Sequence, residues 1–192
     1  MAAVIDTDET LASHVLSARI VGRERELHGL AARAANPTSA APPVVIGGGA
    51  GTGKSRLVRE LRRRVQLRGQ QWIQIDTRRQ SGSDLLVRVA RSVLGKSEID
   101  GLTNEERIEL ARALPELRRK RERIAVPLDP DLARHRRLDV LAEKIARRFD
   151  WKEGVLVVED LHWASARERE DLARLVSSAR SAGARCLFLL VS

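Results

Sequence analysis

The stretch from residue 44 to residue 58 reads Val44-Val45-Ile46-Gly47-Gly48-Gly49-Ala50-Gly51-Thr52-Gly53-Lys54-Ser55-Arg56-Leu57-Val58. Its three β-branched apolar residues have the character of a strand buried on both faces. Leu57, Val58, Leu61 and Val65 then recur at helical spacing, with Arg59, Arg62, Arg63 and Arg64 mostly on the other side. The pattern predicts a helix to about Arg68, stopped by Gly69. Between strand and helix, Gly48 to Ser55 satisfies G-x-x-x-x-G-K-[ST], the spacing of a phosphate-binding P-loop. A chance match in a chain of this length is on the order of one in a hundred, and a strand before and a helix after are the context the pattern requires.

Each residue type in that loop has a physical reason. A polyphosphate needs several backbone N–H donors converging on one anion, and Gly48, Gly51 and Gly53 permit backbone angles and close approach that a Cβ would forbid. The helix that follows offers unpaired N–H groups and the positive end of its dipole. Lys54 supplies a mobile charge for the β- and γ-phosphates, and the Ser55 hydroxyl is a magnesium ligand. The nucleotide-contacting stretch is therefore Gly48, Gly49, Ala50, Gly51, Thr52, Gly53, Lys54, Ser55 and Arg56.

Outward from the loop, a helix is predicted from about Glu24 to Ala34, ended by Asn36-Pro37. Residues 1–19 read as an N-terminal arm. Trp72 to Ile75 forms a second strand, and Ser83-Asp84 can cap a helix through Leu85, Leu86, Val89 and Val93. Residues 95–136 read as a helical insertion: a loop at 95–101, a helix behind the capping box of Thr103 and Glu106, and a break at 127–131. A helix from Arg136 to Phe149 leads to a third strand at Val155 to Val158, and a helix from Glu168 to Ala179 leads to a fourth at Cys186 to Val191. Strands alternating with helices predict an α/β fold, a three-layer αβα sandwich with a mostly parallel sheet.

The third strand ends in Glu159 and Asp160, followed by Leu161-His162-Trp163-Ala164-Ser165. Four apolar residues closing on two acids have the form of a Walker B strand, in which one carboxylate orders magnesium and the next orients or deprotonates water. Glu159 is assigned to the metal with Ser55, and Asp160 to catalysis with Lys54; the exchange of the two acids' roles stays open. His162 and Trp163 read as packing groups behind the acids, and Cys186 as a buried thiol.

The 192 residues carry 35 Lys and Arg against 26 Asp and Glu, a net charge of +9. That balance permits polyanionic partners without choosing among them. Five aromatic residues and no Tyr supply poorly any base-stacking platform. One cysteine excludes an internal disulfide and a multi-cysteine metal cluster. No run approaches the roughly 20 apolar residues of a membrane span, and Asp6, Asp8 and Glu9 stand where a secretory leader carries positive charge, so a cytoplasmic chain without a membrane partner is expected. The clusters at 118–123 and 134–137 could touch DNA, but interleaved Glu116, Glu122 and Asp139 favour a solvated face.

The text Val-Gly-Arg-Glu-Arg-Glu-Leu at 21–27, the glycine loop and following helix at 48–61, and Val-Val-Glu-Asp-Leu-His-Trp-Ala at 157–164 resemble, in order and spacing, the AAA-type domain of origin-recognition-complex-like ATPases and of the STAND class of signal-transduction NTPases. Large bacterial regulators of the LuxR type and class III cyclase-linked proteins are similar. The likeness covers roughly 20–192. It implies ATP or dATP with Mg2+, and contact of Val21, Gly22 and Arg23 with the adenine. Glu159 replaces the Asp of many P-loop proteins, and Ser165 replaces an Asp of many relatives. The family continues past the fourth strand into a γ-phosphate-sensing Arg, a fifth strand beside the first, a helical lid and a winged helix. The resemblance therefore implies a sheet incomplete at its C-terminus, slow or absent hydrolysis, and a first strand at an open edge suited to self-association or a protein partner. Three functions follow: an ATP-dependent regulatory switch, a DNA-binding regulator working through its basic surface, or a signalling fragment that docks to a partner.

Overall fold

The computed structural model describes residues 22–77 and 84–192; the arm expected over 1–19, Val21 and Ser83 lie outside them. The chain forms α1 (Glu24–Ala35), β1 (Val44–Ile46), α2 (Lys54–Leu67), β2 (Gln71–Asp76), α3 (Leu85–Val93), α4 (Lys96–Asp100), α5 (Asn104–Ala111), α6 (Pro130–Asp150), β3 (Gly154–Glu159), α7 (Ala166–Ser181) and β4 (Cys186–Val191). Short 3-10 turns lie at Pro115–Leu117 and Leu161–Trp163.

The strands pair in the order β1-β4-β3-β2, every pair parallel. Val155 and Val157 of β3, with Leu187 and Leu189 of β4, pack against Leu27, Leu57 and Leu61 of α1 and α2. Leu156, Val158 and Phe188 point the other way, onto α3, α6 and α7. These two buried layers make the expected αβα sandwich. The chain crosses from β1 to β2 through α2 on one face and returns to β3 and β4 through helices on the other, as right-handed crossovers require.

Several local expectations are corrected. β1 is buried on one face only: Val44 and Ile46 pack under α1 and α2, while Val45, on the opposite side of an edge strand, is 65% exposed. The expected loop at 95–101 contains the helix α4, because the Glu98 carboxylate accepts the Gly95 amide at 2.9 Å and is pinned by Arg148 at 2.9 Å. α6 starts at Pro130, six residues before the expected Arg136. Asp129 accepts the amides of Asp131 and Leu132 at 3.0 and 2.9 Å, and proline occupies the first helical position, where an N–H would have no intrahelical partner.

The helices on the second face are tied by a buried charge pair. Lys144 of α6 is 2% exposed, and its ammonium donates to Glu106 Oε1 of α5 at 2.7 Å. The other oxygen, Oε2, accepts the Thr103 amide at 2.8 Å, closing the capping box of α5. Burial alone would raise the Glu106 carboxyl, but the Lys144 and Thr103 hydrogen bonds outweigh it and hold the group below its ordinary range. A carboxyl held low stabilises the fold above its unfolded pKa and loses that contribution as pH falls through its folded value. Glu106→Gln should cost about 3 kcal/mol in urea unfolding at neutral pH, the cost of a buried ammonium deprived of its counter-charge. The difference from wild type should shrink below the ordinary carboxylate range.

Candidate functional site

All four strands end at one rim of the sheet, at Ile46, Asp76, Glu159 and Val191. In parallel α/β sheets ligands bind beyond these carboxyl ends, where neighbouring connections leave for opposite faces. β1 exits toward α2 and β3 exits toward α7, with β4 between them. The loop at 47–53 and the segment at 160–165 therefore flank a crevice above β4. Two strand spacings set them about 10 Å apart, room for a phosphate group and a cation.

The loop holds Gly51 at φ 78° and Gly53 at φ 85°, left-handed angles that disfavour any side chain. Thr52 Oγ1 donates to Gly49 O at 2.9 Å and steadies the turn. The Lys54 ammonium bends back over it, donating to the carbonyls of Gly48 at 2.5 Å and Gly49 at 2.9 Å. The first ladder bond of α2 runs from Leu57 N–H to Gly53 O, so the amides of Lys54 and Ser55 precede it. Other helices close such amides with a side chain: Asp84 for α3, Thr103 for α5, Asp129 for α6 and Ser165 for α7. α2 has neither a side-chain cap nor an acid in its first turn. An exposed glycine turn, open helix amides and one ammonium are a donor set that fits a polyphosphate. Ser55 and Arg56 stand exposed in the first turn of α2, and Gly49 and Ala50 are exposed in the loop.

On the other side of the crevice Glu159 is the last residue of β3, in register with Asp76. Its Oε2 accepts from Gln74 Nε2 at 2.6 Å, and Gln74 Oε1 accepts from Trp72 Nε1 at 2.9 Å, which fixes the direction of the amide. Asp160 has φ 59° and ψ 38°, a left-handed conformation that costs a non-glycine residue on the order of 1 kcal/mol or more. Three bonds hold this turn. The Thr77 hydroxyl donates to Asp160 O, the Thr77 amide donates to Glu159 O at 3.2 Å, and the Trp163 amide donates to Asp160 O at 2.9 Å. Thr77 is buried, and its carbonyl accepts from Arg88 at 2.9 Å. Glu159 and Ser55 bring hard oxygen ligands of the kind magnesium takes. Among the described residues no cluster of three His, Cys, Asp or Glu is placed to hold a metal by itself.

Gly22 and Arg23 lie at the start of α1. The carbonyls of Ala31 and Ala34 accept from Arg68 and Gln70 beyond the C-terminus of α2, so α1 runs from there back toward Arg23, away from that end of the layer. Val21 is outside the described residues. Trp163 is 65% exposed and touches His162, ring centres 5.6 Å apart, so it is a surface group and not the packing residue expected. Cys186 is buried as expected, and burial pushes its thiol well above the ordinary range. Gln74, Thr77 and Arg88 went unmarked in the sequence reading. The only signal for them was polar character beside a strand that faces the acids.

A glycine turn feeding an uncapped helix, set two strands from an acid-ended strand in a parallel αβα sandwich, defines a P-loop NTPase-like fold. The AAA ATPase domain family matches residues 19–190, and the chain belongs to that family. No curated protein and no solved structure matches it. No helix among the described residues is long and apolar enough to cross a membrane.

Thr77→Val keeps the shape of the side chain and removes the hydroxyl that holds Asp160 O. The loss should be about 1 kcal/mol in chemical unfolding, the net worth of one intramolecular hydrogen bond, since the Trp163 amide still serves Asp160 O.

Proposed function

We infer that this AAA ATPase domain binds ATP and uses occupancy of the site as a regulatory switch, with slow hydrolysis, in the manner of the origin-recognition-like and STAND ATPases that its motifs resemble. The observation that carries the reading is the N-terminus of α2. It is the helix start on the sheet rim with an ammonium beside it and neither a capping side chain nor an acid in its first turn.

Binding exchanges partners at Lys54. Its ammonium gives up the neutral carbonyls of Gly48 and Gly49 for phosphate oxygens, and charge-assisted bonds of this kind are about twice as strong as neutral ones. The amides of Lys54 and Ser55 close on the same anion, and Thr52 holds the turn through Gly49. Gly48, Gly49, Ala50, Gly51 and Gly53 allow that approach, and Arg56 lies in the same first turn. Ser55 and Glu159 would hold Mg2+, which when bound offsets the charge between the β- and γ-phosphates. Asp160, aimed by its left-handed backbone, would orient water and accept its proton. Val21, Gly22 and Arg23 would contact the adenine.

The basic surface gives the DNA reading less support. Arg134 is bonded to Asp171 and lies 3.4 Å from Asp84, and Arg107 is paired with Glu122 at 2.6 Å, so acids already answer part of the positive charge.

Titration calorimetry with Mg-ATP should give a clear isotherm for wild type and at least about a tenfold weaker one for Lys54→Ala, the loss of one charge-assisted contact. Equal heats for the two proteins, or none for either, would overturn ATP binding at this loop. Asp160→Asn tolerates the same backbone angles and should leave ATP affinity unchanged while lowering turnover by about 100-fold, the usual share of a general base. Unaltered phosphate release would remove Asp160 from that role.

A further inference from the structure

β2 forms the edge of the sheet opposite β1. The amides of Gln71 and Thr77 donate to Glu153 O and Glu159 O, so the odd-numbered residues of this strand point their main-chain groups at β3. In a parallel ladder the even-numbered residues then point theirs outward. Trp72 and Gln74 thus present N–H and C=O groups along the open side, with no strand beyond them among the described residues. Sheet edges are usually guarded by proline, lysine or a bulge. Gln71–Asp76 has neither proline nor lysine, and its register with β3 is unbroken.

The edge lies in a cleft of about 690 Å3 between α2 and α3. One wall carries Trp72 and Arg62, and the other carries Arg88, Arg91 and Ser92. Arg88 also lies 3.6 Å from Glu168, and Arg91 pairs with Glu116 at 2.8 Å. The Arg91 pair is half exposed on both partners, and such pairs contribute little, so an incoming carboxylate competes with Glu116 at small cost. Asp76 and Glu159 close the far end of the cleft with negative charge, which confines an acidic ligand to the Trp72 half.

We propose that this cleft takes an extended acidic peptide as a fifth strand, its main chain paired to Trp72 and Gln74, with apolar side chains over Trp72 and a carboxylate on Arg91. Strand addition draws affinity from main-chain bonds and selectivity from alternate side chains. An added strand shows its two sets of side chains to opposite walls, and here one wall carries the Trp72 ring beside Arg62 and the other carries Arg91. The partner is therefore a segment alternating apolar and acidic residues. Pairing at Gln74 would place the peptide one hydrogen bond from Glu159.

The test uses a synthetic octapeptide of alternating Val and Glu, its Val and Lys counterpart, and a Val and Glu version N-methylated at every amide, which removes the donors of both strand edges. The Glu peptide should bind at least about tenfold tighter than the Lys peptide, as charge complementarity at an interface rim allows. It should also slow hydrogen exchange at the Trp72 and Gln74 amides. The N-methylated peptide should not bind, and Arg91→Glu should invert the preference between Glu and Lys peptides while melting as wild type does. Equal affinity for both charges, unprotected Trp72 and Gln74 amides, or full binding by the N-methylated peptide would each overturn the proposal. Lys54→Ala should bind the Glu peptide as wild type does, so loss of ATP binding and loss of peptide binding are read separately.

Discussion

The arrangement depends on one constraint: parallel strands joined by crossovers must all end at the same rim. Because β1, β4, β3 and β2 run the same way, the glycine loop after Ile46, the acids after Val158 and the turn at Thr77 are delivered to one edge without any long-range designing contact. Burial of alternate valines and leucines on both faces holds that geometry. The chemistry then needs only local specialisation at each strand end. Glycines open the turn before α2, and a threonine hydroxyl holds Asp160 in an unfavourable conformation on the far side of the crevice.

Much of the layout was legible in the residues themselves. The apolar runs at 155–158 and 186–191, and the 3.6-residue pattern after Ser55, mark strands and helices because a parallel sheet buries both faces and its helices bury one. The glycine turn between β1 and α2 was legible because its residues stand in consecutive positions. The acids 159 and 160 were visible for the same reason. What stayed hidden depends on partners distant in sequence. α4 exists because Glu98 meets Arg148, fifty residues on. Lys144 reads as one more charge on a polar helix until Glu106 is brought against it. The left-handed turn at Asp160 is invisible locally, since its support is Thr77, just past the end of the neighbouring strand β2. Val45 misled because a short β-branched run looks alike whether one face or two are covered.

The two sides of the crevice are built differently. The loop side offers main-chain amides and one long lysine side chain. The acid side is a relay of neutral and charged groups from Trp72 and Gln74 of β2 to Glu159 of β3, and among the described residues no strand lies beyond β2. A change in what covers β2 therefore reaches the acid side before it reaches the loop.

The pairing of Val44 with Leu189 joins segments far apart in the described chain. Contacts so distant in sequence are entropically late, and topologies rich in them fold slowly. The strand that launches the glycine loop has three residues and, among the described residues, a single neighbouring strand, so its place in the sheet waits for β4 to dock. The glycine turn before α2 is thus among the last parts of this domain to take shape.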